Sequence, residues 1–194
     1  MKELRIRLTF IDDLLGTMPG NRDIFTDFVA KKAETVNEEA EAIPVDEALE
    51  KGTTVFPRTA DDKPFLYDYQ IRGYFKESCK FLKKVEGTKS SKEKAYKQKI
   101  DGLIFVKDRQ NVINTDKEIG ICERPLRAST PQGERISLSR SESIAEGATL
   151  EFTVVCMVDS DIDLVKEWLD YGRFHGTGQW RNSGKGRFTW EEVK

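Results

Sequence analysis

Residues 171–188 read YGRFHGTGQWRNSGKGRF, and this stretch decides how the chain is understood. Gly172, Gly176, Gly178, Gly184 and Gly186 are interleaved with Arg173, His175, Gln179, Trp180, Arg181, Asn182, Ser183, Lys185 and Arg187. Glycine admits positive φ and carries no Cβ, so such a loop can lie against a ligand and aim several N–H groups at one anion. The neighbouring cations add charge-assisted contacts to phosphate oxygens, and Trp180 offers a flat surface on which a base could stack. The competing reading is a tight helix-to-strand connection with Trp180 in the core. The order helix, loop, strand reverses that of a P-loop or a Rossmann turn, and the GxxxxGK[ST] spacing is absent, so ATP or NAD binding is not expected and no cofactor is assigned.

Working outward, Asp161–Tyr171 places Ile162, Leu164, Val165, Trp168 and Leu169 at helical spacing, with Asp159 or Ser160 as N-cap. Thr149–Val158 is dominated by Phe152, Val154, Val155, Cys156 and Val158 and reads as a strand, and Phe188 with Trp190 as a final short one. At the other end Leu4, Ile6, Leu8 and Phe10 alternate with Arg5, Arg7 and Thr9, the period of a strand buried on one face. Gly16, Pro19 and Gly20 predict a loop over 14–21, and Asp23–Ala42 a helix with Ile24, Phe25, Phe28 and Val29 on one side. Thr53–Phe56 is a short strand candidate. Tyr69–Lys84 is a helix burying Ile71, Tyr74, Phe75, Ser78, Cys79 and Leu82 and turning Arg72, Lys76, Lys80, Lys83 and Lys84 outward, interrupted by Glu77. A charge run of this kind ordinarily means a solvated face. A loop over Glu86–Lys99 leads through a short helix to a strand at Gly102–Lys107, and Arg124–Arg140 reads as turn-rich with one strand at Arg135–Ser139. Strands and helices without a regular βαβ repeat predict an α+β fold, an open antiparallel sheet with helices on one face.

Composition narrows the classes. The 194 residues suit one domain, 1–194, and 38% hydrophobic residues against 34% charged argue for a folded chain. Lys and Arg total 32 against 34 Asp and Glu, so any nucleic-acid site must arise from local clustering of positive charge. Cys79, Cys122 and Cys156 are scattered and form no zinc-ligand spacing with the single histidine, and no metal is assigned. No apolar run approaches a membrane span or a signal h-region, so the expectation is a cytoplasmic protein with reduced thiols and no membrane partner.

The 171–188 string resembles the glycine-rich loop near the C-terminus of the RAMP superfamily, the ferredoxin-like RNA-binding proteins of CRISPR effector and processing complexes. Phe65–Glu77 is similar to the segment of RAMP backbone subunits in which a substrate-facing turn leads into a helix, and Ser141–Phe152 to the glycine turn before the family's core strand. The three segments occur in the family's order and cover most of the chain from Phe65 onward. The resemblance implies a ferredoxin-like (RRM-like) sheet with a C-terminal glycine-rich loop, in a compact, stand-alone relative such as a phage or mobile element could encode. It implies single-stranded RNA, or DNA, as the partner. The binding residues are then Arg173, His175, Gly176, Gly178, Gln179, Trp180, Arg181, Ser183, Gly184, Lys185, Gly186 and Arg187, flanked by Arg72, Lys76, Lys80, Arg124 and Arg127.

RAMP endoribonucleases often use a histidine as general acid/base, but nearer the N-terminal half, and His175 has no identifiable sequence partner. Binding without catalysis is therefore the leading expectation, with a metal-independent endoribonuclease using His175 as the alternative. Asp12–Asp13, Asp61–Asp62 and Asp159/Asp161/Asp163 read as caps and solvated turns. Asp23 is the nearest analogue of the acid with which family backbone subunits cut RNA, and its surroundings do not match. A third possibility is a protein-interaction role: self-assembly, or anti-defence mimicry of a CRISPR subunit.

Overall fold

Alternation in the first strand sets the architecture. In the computed structural model, which describes residues 1–20, 53–130 and 133–193, with the side chains of 126–130 and 133–137 left aside, β1 (Lys2–Phe10) buries Leu4, Ile6, Leu8 and Phe10. On one side it pairs antiparallel with β10 (Thr149–Cys156), from Lys2↔Cys156 to Thr9↔Thr149. On the other it pairs antiparallel with β11 (Phe188–Glu192), from Ile6↔Glu192 to Phe10↔Phe188. This register puts Leu150, Phe152, Val154, Cys156 and Phe188 on the buried face beside the β1 side chains. The other edge of β10 is shared by β6 (Ile104–Val106) and β7 (Gln110–Asn114), and β5 (Phe65–Tyr67) pairs with β7 to complete a six-stranded antiparallel sheet.

Two helices cover the buried face. Helix α1 (Asp68–Leu82) contributes Ile71, Tyr74, Phe75 and Cys79, and α3 (Asp161–Asp170) contributes Ile162, Leu164, Val165, Trp168 and Leu169 to the same core. Both match the helices expected at Tyr69–Lys84 and Asp161–Tyr171 within two residues. Short α2 (Tyr96–Leu103) runs directly into β6. Trp168 is fully buried, 5.6 Å from the Phe75 ring, and its Nε1 donates to Ser90 Oγ at 2.9 Å; Ser90 Oγ donates in turn to Glu167 Oε1 at 2.5 Å. Tyr74 Oη donates to the Trp168 carbonyl at 2.8 Å, and burial pushes the Tyr74 phenol well above its usual range. Ser160 stands at the N-cap of α3 without a side-chain capping bond, and buried Asp161 pairs with Lys99 at 3.2 Å.

The opposite face of the sheet is charged and internally neutralised. Arg7 reaches Glu151 at 2.8 Å and Glu191 at 2.9 Å, and Arg5 reaches Glu151 at 3.1 Å, each across neighbouring strands. The two arginines expected on this face are there, but ion-paired.

A second sheet is built on the hairpin of β8 (Gly120–Thr130) and β9 (Gly133–Ile144), paired from Gly120↔Ser143 to Thr130↔Gly133. Its base is tied down by β2 (Leu14–Leu15) and by β4 (Thr54–Val55), the latter meeting β9 at Thr54↔Ser141, while β3 (Met18–Pro19) pairs with β4. Beyond Ser141, toward the tip, the two strands pair only with each other among the described residues. Here the expectation of turns and one strand over 124–140 is corrected to two long strands. Outside Ile136 and Leu138 the ribbon carries serines and arginines instead of a period-2 apolar pattern, so most of it reads as turns. β7 likewise carried no sequence signal, and the loop expected over 14–21 contains β2 and β3. The helix expected at Asp23–Ala42, and Asp23 with it, lies outside the described residues. Among the described residues no helix is long and apolar enough to cross a membrane.

Truncating Trp168 to Ala should cost about 3–5 kcal/mol in urea unfolding, the range for a fully buried aromatic side chain. Glu151 is held below the usual carboxylate range, first by its hydrogen bond from Arg7. A carboxylate with a lowered folded-state pKa adds stability above its unfolded value of about 4.3, lost as pH falls through the lowered one. The stability difference between wild type and Glu151→Gln should therefore shrink as acid unfolding is followed below pH ~4.

Candidate nucleic-acid interface

The 171–188 loop is folded upon itself. After α3, Tyr171–Arg173 makes a 3-10 turn, with Phe174 N and His175 N donating to the Tyr171 carbonyl at 3.0 Å. A second 3-10 turn, Arg181–Ser183, follows, and the Trp180 carbonyl accepts from Ser183 N at 3.0 Å and Lys185 N at 3.3 Å. The two arms close where Thr177 N donates to the Gly186 carbonyl at 2.9 Å, and Gly186 N reaches the Asp13 carbonyl at 2.8 Å. Gly186 has φ +71°, and a Cβ there would stand 2.0 Å from the Thr177 carbonyl oxygen; a Cβ on Gly176 would stand 2.3 Å from the Lys185 carbonyl oxygen. Backbone contact therefore explains these two glycines. With Gly184 N also bonded to the Arg181 carbonyl, the loop that suggested a backbone cradle for anions has its N–H groups at 174, 175, 177 and 183–186 engaged inside the protein.

The loop's cations divide the same way. Lys185 Nζ lies 2.6 Å from Asp13 and Arg187 Nε 2.6 Å from Asp12, which holds the Arg187 guanidinium above its ordinary pKa. Asp12–Asp13, expected as solvated turn residues, are the anchors that fasten the loop to the end of β1. Arg173 is exposed and has no partner among the described residues. On α1, Arg72 pairs with Asp68 at 3.1 Å and Lys76 with Asp101 at 2.5 Å, whereas exposed Lys80 stands 5.8 Å from the Phe81 ring centre without a carboxylate partner. Arg127 lies on β8 opposite Ile136, with its side chain outside the described set.

Between this loop and α1 opens a groove of about 760 Å³. Glu77 and Phe81, four residues apart on one helix face, form one wall, and His175, Gly178, Gln179, Trp180, Arg181, Asn182 and Ser183 the other. Gly178, at φ +81°, seats this wall against Leu14 and Leu15. Glu77 is the hub: Arg181 Nη1 donates to its Oε2, and His175 Nε2 lies 3.3 Å from its Oε1 without hydrogen-bond alignment. His175 is also flanked by Tyr171, ring centres 5.6 Å apart at 22°, and by Phe81 at 5.2 Å. The partner His175 lacked in sequence is thus Glu77, which had read only as a break in a basic face. Glu77 and Phe81 were missed because their side-chain types imply nothing until the helix is laid against the loop.

Trp180 is neither core nor a free platform. Its ring is covered by Arg124, whose guanidinium carbon lies 3.1 Å from the ring centre, and Arg124 Nη2 donates to Gln179 Oε1 at 3.3 Å. Gln179 Nε2 donates to Thr54 Oγ1 at 3.3 Å, and Thr54 Oγ1 to Ser141 Oγ at 2.8 Å, so this wall is stitched to the base of the β8–β9 hairpin. Among the described residues no group of three or more His, Cys, Asp or Glu has the arrangement of a metal site.

Among the described residues, an α+β arrangement of mainly antiparallel sheets with three helices, ending in a helix, a glycine loop and an edge strand, is consistent with the ferredoxin-like RAMP-type fold. Comparison with solved structures finds this fold in a chain of the cryo-EM structure of the type III-B Cmr-beta bound to cognate target RNA, with a TM-score of 0.55 and 10% sequence identity over 100% of this chain. The chain spans 60% of the length of that one, and at this identity the likeness is one of fold. No family model and no curated protein matches the sequence.

Gly186→Ala should open the loop, because both its φ and the Thr177 carbonyl oppose a side chain; a loss of about 2 kcal/mol or more in urea unfolding is expected. Gly73→Ala, in the middle of α1 with no atom within 4 Å of the added Cβ, should instead stabilise by about 0.5–1 kcal/mol.

Proposed function

We propose that the protein binds single-stranded nucleic acid, RNA in preference to DNA, along the groove between α1 and the glycine loop, without catalysis, in a CRISPR-related or phage setting. The observation that carries this reading is the groove itself: about 760 Å³, open, with the rings of Phe81 and His175, and of Trp180 beneath Arg124, among amide, hydroxyl, arginine and Glu77 side chains. Stacking surfaces beside polar groups suit splayed bases, which present π-faces whatever their identity. Exposed Lys80 and Arg173 supply local positive charge in a chain of net charge −2. The Arg5 and Arg7 face of the six-stranded sheet is a poorer candidate, since its charges are cancelled by Glu151 and Glu191. The fold shared with a chain of an RNA-bound CRISPR complex supports the choice of RNA.

The pairing of His175 with Glu77 in the groove wall favours, as a second reading, metal-independent cleavage of RNA with His175 as general acid/base. Fluorescence anisotropy with a labelled single-stranded RNA should show binding that weakens steeply with salt, and Phe81→Ala should weaken it about 10-fold or more through lost stacking. No affinity at low salt would end the binding proposal. RNA left intact after long incubation in chelator sinks the nuclease reading; cleavage abolished by His175→Ala establishes it.

A further inference from the structure

Arg124 breaks a rule that its neighbours obey. On the same hairpin Arg140 pairs with Glu123 at 2.7 Å, and across the hairpin base Arg58 pairs with Glu142 at 2.7 Å. Arg124 is only 4% exposed, has no carboxylate partner among the described residues, and leaves Nε and Nη1 without any hydrogen-bond partner. A guanidinium taken out of water without a counter-charge is costly, and the cost shows as a pKa drawn downward by desolvation. What occupies it is the Trp180 ring, and Trp180 holds a left-handed backbone at φ 58°, ψ 34°, a conformation a bulky side chain avoids. Trp180 and Gln179, which both touch the guanidinium, both line the groove. Trp180 and Gln179 therefore connect a buried cation, unpaired among the described residues, to the groove where a ligand would lie.

We infer that Arg124 is a latched phosphate site: a backbone phosphate of single-stranded nucleic acid entering the groove takes the guanidinium from Trp180, and the released indole stacks on the adjoining base. The inference rests on the function proposed above and gives it a mechanism. The phosphate supplies the missing counter-charge and accepts from nitrogens now unpartnered, as guanidinium geometry favours. The indole exchanges a cation for a base at the same π-face. A purely structural strut, held by the bond to Gln179 and the contact with Trp180, would show its loss in stability, and a phosphate site would show it in binding.

The test uses the full chain, a mixed-sequence single-stranded RNA and, separately, inorganic tripolyphosphate, read by tryptophan emission, anisotropy and thermal unfolding. RNA should change an emission component that is missing in Trp180→Phe. Arg124→Met, which keeps the bulk and removes the charge, should unfold at the same or a higher temperature while binding RNA about 10-fold or more weakly, with a salt slope smaller by about one. Wild-type RNA affinity and salt slope in Arg124→Met overturn the latch and leave the binding function standing. A lowered unfolding temperature accompanying the loss of binding makes Arg124 a strut and also overturns it. If wild type binds no RNA, the proposed function fails by itself, and the Arg124 site is judged on tripolyphosphate: an emission change lost in Arg124→Met keeps it, and no change rejects it.

Discussion

Strand β1 is held along both edges, by β10 from Lys2 to Thr9 and by β11 from Ile6 to Phe10, and its two faces are committed by that pairing. One face is the floor on which α1 and α3 pack; the other is an ion-paired surface of Arg5, Arg7, Glu151 and Glu191. A one-residue slip in either ladder would turn Leu4, Ile6, Leu8 and Phe10 outward and bury the arginines. The constraint reaches past the strand. Immediately after it, Asp12 and Asp13 grip Arg187 and Lys185, and Ile11 N donates to the Arg187 carbonyl at 2.9 Å. The register of β1 against β11 is therefore also the register of the glycine loop against the body.

That clamp divides the loop by function. Its second half, from Gly184 to Arg187, is fastened to the segment after β1 through Lys185, Gly186 and Arg187, with its cations neutralised and the amides of 184–186 engaged. The stretch from His175 to Ser183 is left to form a groove wall, resting on the hairpin base through Gln179 and Arg124 and on α1 through Glu77. Backbone donors at 174, 175, 177 and 183–186 are closed into turns and cross-loop bonds, so much of the loop's recognition would fall to side chains.

Periodicity made the framework legible. β1, β10, α1 and α3 each bury one face against the same core, and burial imprints a period of two or of 3.6 on sequence. The β8–β9 hairpin leaves that core and carries no such imprint, so Ser, Arg and Pro125 looked like turn residues. Glycine density in 171–188 marked the right segment, but glycine is equally suited to lie against a ligand or against its own chain, and only the 2.0–2.3 Å approaches at Gly176 and Gly186 distinguish the two. Asp12–Asp13 and Glu77 were illegible for a simpler reason: an ion pair spanning roughly a hundred residues or more is a property of the assembled fold, and composition cannot announce it.

Local rules are kept across most of the described structure, which makes their violations informative. Among the described residues Asp62 and Trp180 are the non-glycine positions with positive φ. Asp62 lies in a turn closed by its own N–H on the Thr59 carbonyl, a setting in which a short polar side chain tolerates the left-handed region. Trp180 has no such excuse, and it touches the buried arginine that has no counter-ion among the described residues. Packing alone would relieve both defects with a glycine at 180 and an apolar residue at 124. Their coincidence at one 3.1 Å contact, with Trp180 in the groove wall, is the arrangement expected where stability is traded for a binding-competent state.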